Sequence, residues 1–360
     1  MHIELFSQIS TLHPIVPQAI RVTVLTAVAF IVAMALTPLW VKLLKKYRFG
    51  KQLRTGTDTP VFQSLHKNKE GILTGAGIII WSTVLGLAVI FDILNHAFDG
   101  MWHYFNFIDR GETYLPLAAM LISALLGLLD DWLGVLRIGG AKGGGLQVRH
   151  KSFLYLIAAA IGAWWFFFRL GWNTLAIPFV GNVVIGWWYI PVFIFIIFAS
   201  AFSANETDGL DGLLGGVSLF AFFALTTVAF VLHLYNLAAF GGVVIGALLA
   251  FLWNNIYPAK FIMGDTGSMA LGVTIGTISM LTNTTLLLPF FAIILVIESV
   301  SVIIQLISKK LRHGKKIFRS TPIHHHFEAL GWPESQVTMR AWIVSAMFCA
   351  LGLVVFFLSR

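Results

Sequence analysis

The stretch Ser203-Ala-Asn-Glu-Thr-Asp-Gly-Leu-Asp-Gly212 sets Glu206, Asp208 and Asp211 into six positions between two long apolar runs. Carboxylates at the boundary of such runs are costly in a membrane unless they serve a purpose. Two comparable acidic islands lie at Asp130-Asp131 and at Gly264-Asp265-Thr266-Gly267-Ser268. If all three islands meet on one face of a membrane, they build a metal-dependent phosphate site.

The surrounding composition supports the membrane. Of 360 residues, 58% are hydrophobic and 11% charged, and the mean hydropathy is +0.85. That pattern excludes a soluble domain with one core. Ten apolar runs stand out, at about 19–41, 72–94, 113–129, 153–168, 183–202, 210–232, 237–254, 268–281, 285–307 and 341–358. Most approach the roughly 20 residues that a helix needs to cross the hydrocarbon. Helices satisfy their own backbone groups in lipid, so the expected fold is an all-α polytopic bundle of about ten transmembrane helices. No cleavable signal is expected at the N-terminus, and the first apolar run reads as a retained span. Cys349, the single cysteine, rules out an internal disulfide and carries no information on redox compartment.

Charge orients the bundle. If the loops after the first, third, fifth, seventh and ninth runs share one side, that side holds 20 of the 24 Lys and Arg residues. Arg21, Arg110, Arg169 and Arg360 fall on the other. By the positive-inside rule the rich side is cytoplasmic, which places both termini outside. The chain then reads as one transmembrane catalytic domain over 1–360, with cytoplasmic loops at about 42–71, 130–152, 203–210, 255–267 and 308–340. All three acidic islands fall on the cytoplasmic side. The net charge of +8 is explained by those loops and by anionic lipid, not by nucleic acid. The segment from Arg312 to Phe327 mixes basic groups with Ile317 and Phe318, which suits either a segment lying on the leaflet or a plain topogenic loop.

Each island has a competing structural reading. Asp130 and Asp131 are adjacent, and successive helix residues point about 100° apart, so both reach one point only where the helix ends. Two acids at a helix C-terminus also oppose the macrodipole, a cost that a cation offsets. Asn205, Asp208 and Asp211 are each three apart. They line one face if the stretch is helical, and otherwise one of them opens the next helix as a cap. Asp265 precedes a short apolar run that Thr266 or Ser268 can cap. It is also a hard oxygen ligand of the kind that Mg²⁺ accepts beside water and phosphate. Pro322-Ile-His-His-His-Phe327 adds three consecutive imidazoles. Adjacent side chains diverge and no cysteine supports a zinc site, so donation to phosphate or sugar oxygens fits better. Glu298 is the one acid plainly inside an apolar run.

With these residues assembled, the chain resembles the polyprenyl-phosphate N-acetylhexosamine-1-phosphate transferase superfamily. Within it, the chain is similar to the phospho-N-acetylmuramoyl-pentapeptide transferases. The resemblance runs from about Phe49 to the C-terminus. It rests on Asp130-Asp131, Asn205–Gly212, Asn255-Ile-Tyr-Pro-Ala259, Met263–Ser268, Gln305, and Pro322-Ile-His-His-His-Phe-Glu328 followed by Gly331-Trp-Pro333. The acidic motifs mark the superfamily, and the triple histidine with its Gly-Trp-Pro tail marks the muramoyl-pentapeptide branch. Ten spans with both ends outside is also that family's layout.

The resemblance implies that undecaprenyl phosphate attacks the sugar-linked phosphorus of UDP-N-acetylmuramoyl-pentapeptide. UMP then leaves and lipid I forms, in the bacterial cytoplasmic (inner) membrane. It implies Mg²⁺ as cofactor with Asp265 as its ligand. Asp130 positions or deprotonates the lipid phosphate and Asp131 supports it. Asp208, Asn205 and Asn255 line the cleft, with Gln305 also on the substrate side. His324 and His325 contact substrate, with His326 beside them, and Lys69 and Thr74 meet phosphate. A homodimer and membrane lipid complete the expected partners.

The sequence departs from the family in four places. Gly71-Ile-Leu-Thr-Gly-Ala-Gly77 stands for Gly-Thr-Pro-Thr-Met-Gly-Gly. Gly134 stands where a Lys follows the acidic pair, so Lys142, Arg149 or Lys151 replaces that charge. Ile262, with Phe261 beside it, stands where an aromatic stacks on uracil. Glu206 replaces an apolar residue. Two other readings compete: a relative using UDP-N-acetylglucosamine, which the histidine stretch opposes, and an ion-coupled transporter. Transporters place broken helices and charge near the midplane, whereas these acids sit at run ends on one side.

Overall fold

The computed structural model describes residues 15–50, 71–109, 111–138 and 145–360. Lys69, Arg110 and Lys142 lie outside these residues. Thirteen helices can be traced among them. Helix α1 is Ile15–Lys46, α2 Ile78–Ala97, α3 Met101–Phe105, α4 Tyr114–Val135 and α5 Val148–Trp164, which continues as a π turn at Trp165–Arg169. Helix α6 is Tyr189–Thr207, α7 Leu213–Val231, α8 Tyr235–Asn255 and α9 Asp265–Leu281. The short α10, Leu288–Phe291, leads into α11, Ile293–Leu311, and α12, Ile323–Ala329, precedes α13, Glu334–Leu358.

Every one of the ten apolar runs is helical over most of its length. Eight helices of the described residues are long and apolar enough to cross a membrane, and nine if the bent pair counts as one span. The chain is therefore an all-α, multi-pass membrane protein. The expected count of ten differs for a physical reason. Helix α9 has 17 residues, and the run at 285–307 breaks at Ala292, where the two halves meet at 90°. The run at 183–202 also opens differently from expectation. Thr174–Ile177 and Gly181–Val184 form an antiparallel hairpin, β1 and β2, ahead of α6. Trp187 and Trp188 beside it are exposed, as interface aromatics are at a membrane boundary.

Two helices form the centre. Helix α8 packs along α1 and α7, and α9 lies between α4 and α6. Between apolar helices in lipid, close approach comes from small residues. A Cβ at Gly246 of α8 would lie 2.1 Å from the Thr26 carbonyl of α1, and one at Gly127 of α4 would lie 2.2 Å from the Asp265 carbonyl. At Gly272 of α9 it would meet the Ser200 carbonyl of α6 at 2.5 Å. Thr266 Oγ1 donates to the Ala124 carbonyl of α4 at 2.8 Å and accepts from Trp81 Nε1 of α2 at 3.1 Å. These contacts lock the N-terminus of α9 into the middle of the bundle. Large apolar side chains on the outer faces, such as Ile31, Ile93, Phe153, Phe195, Ile343 and Met347, are exposed, as lipid-facing positions are.

Several loop boundaries move. Helix α4 runs through Asp130-Asp131 to Val135, α6 runs to Thr207, and α13 begins at Glu334. The connections expected at 130–152, 203–210 and 308–340 are therefore partly helix.

Candidate active site

The site gathers at the N-terminus of α9. The first amides of a helix have no partner within it and carry the positive end of the macrodipole. Here they and the amide just before them are taken up by carboxylates from α4 and from the turn after α6. Asp131 Oδ1 accepts the backbone N–H of Asp265 at 3.0 Å, and Asp131 Oδ2 accepts that of Thr266 at 3.0 Å. Asp208 Oδ2 accepts the N–H of Gly264 at 3.0 Å. Gly264 has φ of +73°. A Cβ there would also lie 2.6 Å from Asp131 Oδ2 and 2.9 Å from Thr74 Oγ1. Glycine is thus required by conformation and by space.

With its backbone held, Asp265 turns its side chain outward from the helix. Asn205 Nδ2 donates to its Oδ1 at 2.8 Å. Lys151 Nζ, from α5, bridges its Oδ2 to Asp130 Oδ2. Asp130 is buried, and its Oδ1 accepts the Leu146 N–H at 2.6 Å. The adjacent acids therefore do both serve one residue without the helix ending. Asp131 grips the backbone of Asp265, and Asp130 shares a cation with its side chain. Of the two basic candidates among the described residues for the charge missing at Gly134, Lys151 reaches the site. Arg149 is exposed.

Asn205, Asp208 and Asp211 do not share a helical face. Helix α6 stops at Thr207, and Gly212, with φ of +72°, starts α7. The turn sends the two aspartates to different partners. Asp211 Oδ2 accepts the Ala259 N–H at 2.9 Å, and its backbone N–H donates to Glu334 Oε1 at 2.6 Å. It ties the 255–260 loop to α13.

Asn255 and Gln305 are buried, with both amide ends engaged. Asn255 accepts from Gly212 N at 3.1 Å and donates to the Phe261 carbonyl at 2.8 Å. Gln305 donates to the Phe318 carbonyl at 2.9 Å and accepts from the N–H groups of Ile317 and Phe318 at 3.0 and 3.1 Å. Each fixes a loop at the rim. Thr74 donates its own N–H to the Phe49 carbonyl at 2.9 Å and lies against Gly264, as noted. Lys69 is outside the described residues. Phe261 is buried and pairs with Phe251 at 5.5 Å between centroids. It belongs to the core, not to an open base-stacking surface.

The histidines divide. His324 and His325 are buried, with ring centroids 4.1 Å apart. Each has a carboxylate at Nδ1: Glu298 Oε2 at 2.9 Å for His324, and Glu328 Oε2 at 2.7 Å for His325. Burial depresses the His324 imidazolium, but the Glu298 carboxylate outweighs it and raises the pKa above the ordinary histidine value. His326 faces elsewhere. Its Nδ1 accepts the Arg319 N–H at 3.1 Å, and its ring lies against Phe318. Sequence reading singled out Glu298 without a partner and did not single out Glu328, although three-residue spacing from His325 on a helix was its available signal.

The donor set fits a hard divalent cation. Among the described residues no group of three or more His, Cys, Asp or Glu side chains is placed to hold a metal by itself. Instead Asp130 Oδ2 and Asp265 Oδ2 are aimed at one positive charge, that of Lys151. One or two carboxylates completed by water and substrate phosphate is the way Mg²⁺ is bound.

Comparison with known proteins identifies the family. The glycosyl transferase family 4 profile matches residues 114–283, which include both Asp130-Asp131 and Asp265. The chain is 35% identical over 345 residues to the phospho-N-acetylmuramoyl-pentapeptide-transferase of Chloroflexus aurantiacus, covering 92% of this chain and 89% of that protein. It is 36% identical over 330 residues to the protein of that name from Geobacillus sp. (strain WCH70), covering 90% and 94%. It is 35% identical over 329 residues to that of Clostridium novyi, covering 90% and 94%. The chain belongs to the phospho-N-acetylmuramoyl-pentapeptide-transferase family.

Proposed function

We propose that this family member transfers phospho-N-acetylmuramoyl-pentapeptide from its UDP conjugate to undecaprenyl phosphate, releasing UMP and forming lipid I. The observation that carries the reading is the double hold on Asp265. Its backbone is capped by Asp131, and its carboxylate faces the same cation as Asp130. Such a constellation suits two phosphate groups that must approach each other, because repulsion between anions is the main obstacle to phosphoryl transfer.

The roles follow from position. Asp265 would hold Mg²⁺, which would supply charge neutralisation on the diphosphate. Asp130, in the last turns of α4 beside the capping Asp131, holds the lipid phosphate or takes its proton. Lys151 offers a positive charge between the two carboxylates and passes it to substrate oxygens. Asp208 keeps the Gly264–Asp265 turn in register. Asn205 orients the Asp265 carboxylate. His324 and His325 donate toward the pyrophosphate or sugar. Asn255 and Gln305 act on the substrate through the loops that they hold. The site faces the cytoplasm of a bacterial inner membrane with both termini outside, a reading supported by the 20:4 division of Lys and Arg.

Incubation of the purified protein with UDP-N-acetylmuramoyl-pentapeptide, undecaprenyl phosphate and Mg²⁺ should release UMP and give a lipid-linked product. UDP-N-acetylglucosamine should give none. Turnover of UDP-N-acetylglucosamine alone would move the chain to the sibling branch. No UMP from either donor would remove it from the enzyme class.

A further inference from the structure

Glu298 is a carboxylate within the apolar helix α11, 2% exposed. An acid at that depth is expensive unless paired, and its pairing is specific. Its Oε2 accepts both the ring Nδ1–H of His324 at 2.9 Å and the backbone N–H of His324 at 3.3 Å. The two bonds place the first turn of α12 on α11 and set the plane of the imidazole. Carboxylate at Nδ1 leaves Nε2 as the working atom, the arrangement by which an acid orients a histidine.

His324 Nε2 is buried and, among the described residues, has no hydrogen-bond partner. A buried polar atom left without a partner in a native fold calls for a reason. It faces the turn that follows Asp208. A Cβ at Gly209 would lie 2.2 Å from it, so only glycine leaves the ring its place. The unpaired nitrogen thus lies against the turn next to Asp208, the residue that accepts the Gly264 N–H.

We propose that Glu298 is a positioning residue for the transfer, which holds His324 as an imidazolium so that Nε2–H is presented as a charged donor to an anionic oxygen of the substrate. The proposal rests on the transferase reading above. The charges around the ring agree with it. Besides Glu298 from α11, Glu328 on α12 and Glu206 on α6 favour the protonated ring. The turn at Gly209 follows Asp208, and α13 contributes Glu334, whose carboxylate is taken up by Asp211 N. His325 is the one titratable base alongside, with its own carboxylate at Glu328. A donor that is charged as well as directed bonds phosphate more strongly than a neutral one.

The sign of the pH dependence is fixed by the direction of the shift. The folded pKa of His324 lies above the unfolded one. The pair therefore stabilises fully below the ordinary histidine value of about 6.5, and its contribution is lost as pH rises through the raised value. Activity that needs the imidazolium fails on the same alkaline limb.

The test compares the pH profile of kcat/KM for UMP release in the full-length wild type, Glu298→Gln and Glu298→Asp. Gln keeps an acceptor for Nδ1–H and removes the charge. Its alkaline limb should move down by about one pH unit or more, while Glu298→Asp should stay near the wild type. A limb that does not move in Glu298→Gln, with only a uniform fall in rate, overturns the proposal and leaves Glu298 structural. In parallel, ¹⁵N NMR of the ring nitrogens in the wild type, assigned with His324→Asn, reads the titration directly. Titration of His324 at or below the ordinary value also overturns it, including where Glu298→Gln fails to fold. If the wild type releases no UMP, the transferase reading fails, and the NMR titration still decides the charge of the pair.

Discussion

Asp131 caps a helix to which it does not belong. Its two oxygens accept the backbone N–H groups of Asp265 and Thr266, each at 3.0 Å. A cap usually precedes its helix in the chain by one residue. This one comes from α4, more than a hundred residues earlier, so the bond joins two helices and fixes the direction of the Asp265 side chain together.

That relationship separates two kinds of aspartate variant. Asp131→Asn retains one oxygen for two N–H donors, and Asp131→Ala retains none. Both should lower the thermal midpoint as well as turnover, by about 1–3 kcal/mol of stability for the alanine. Detergent-solubilised thermal unfolding is the measurement. An unchanged midpoint with full activity would contradict the cap's importance.

Asp265→Asn should behave differently. Its backbone bonds to Asp131 are unaffected, so the protein should insert and unfold near the wild-type temperature. Turnover should fall by roughly 10²–10³, because a neutral amide is a poor partner for Mg²⁺. UMP release measured across a Mg²⁺ titration checks this. Normal rates at normal Mg²⁺ would sink the metal assignment.

Lys151 is the one basic side chain bridging Asp130 and Asp265 among the described residues. Lys151→Met should leave the carboxylates facing each other without a counter-charge and lower turnover by roughly ten- to a hundredfold. Lys142→Met and Arg149→Met serve as controls and should lose far less. If one of them matches the loss and Lys151→Met does not, the charge missing at Gly134 is supplied from elsewhere.

His324→Ala and His325→Ala should each reduce activity by roughly ten- to a hundredfold, the cost of a missing donor to phosphate. His326→Ala should cost less, because that ring is bonded to the Arg319 N–H on the loop side. Zinc chelators should have no effect on the wild type. Loss of activity with chelator, restored by zinc, would turn the histidine run into a metal site.

Composition and periodicity alone determined the all-α membrane bundle, because lipid leaves helices as the economical way to satisfy the backbone. Local chemistry also marked nearly every side chain of the site: acids at the edges of apolar runs are rare enough to be visible one at a time. What the linear chain could not decide was which acid did what. The spacing of Asn205, Asp208 and Asp211 suggested one helical face. Gly212 in the left-handed region instead ends that possibility and sends Asp211 to Ala259 and Asp208 to Gly264. Asp130 and Asp131 were expected to need a helix end, yet they meet at Asp265 because α9 approaches α4 side-on at Gly127. The choice of Lys151 over Arg149, and the pairing of Glu298 with His324, depend on packing between helices far apart in the chain. Hydrophobic pattern is a property of neighbours in sequence, whereas a hydrogen bond across a bundle depends on where two helices cross, and only the folded chain sets that crossing.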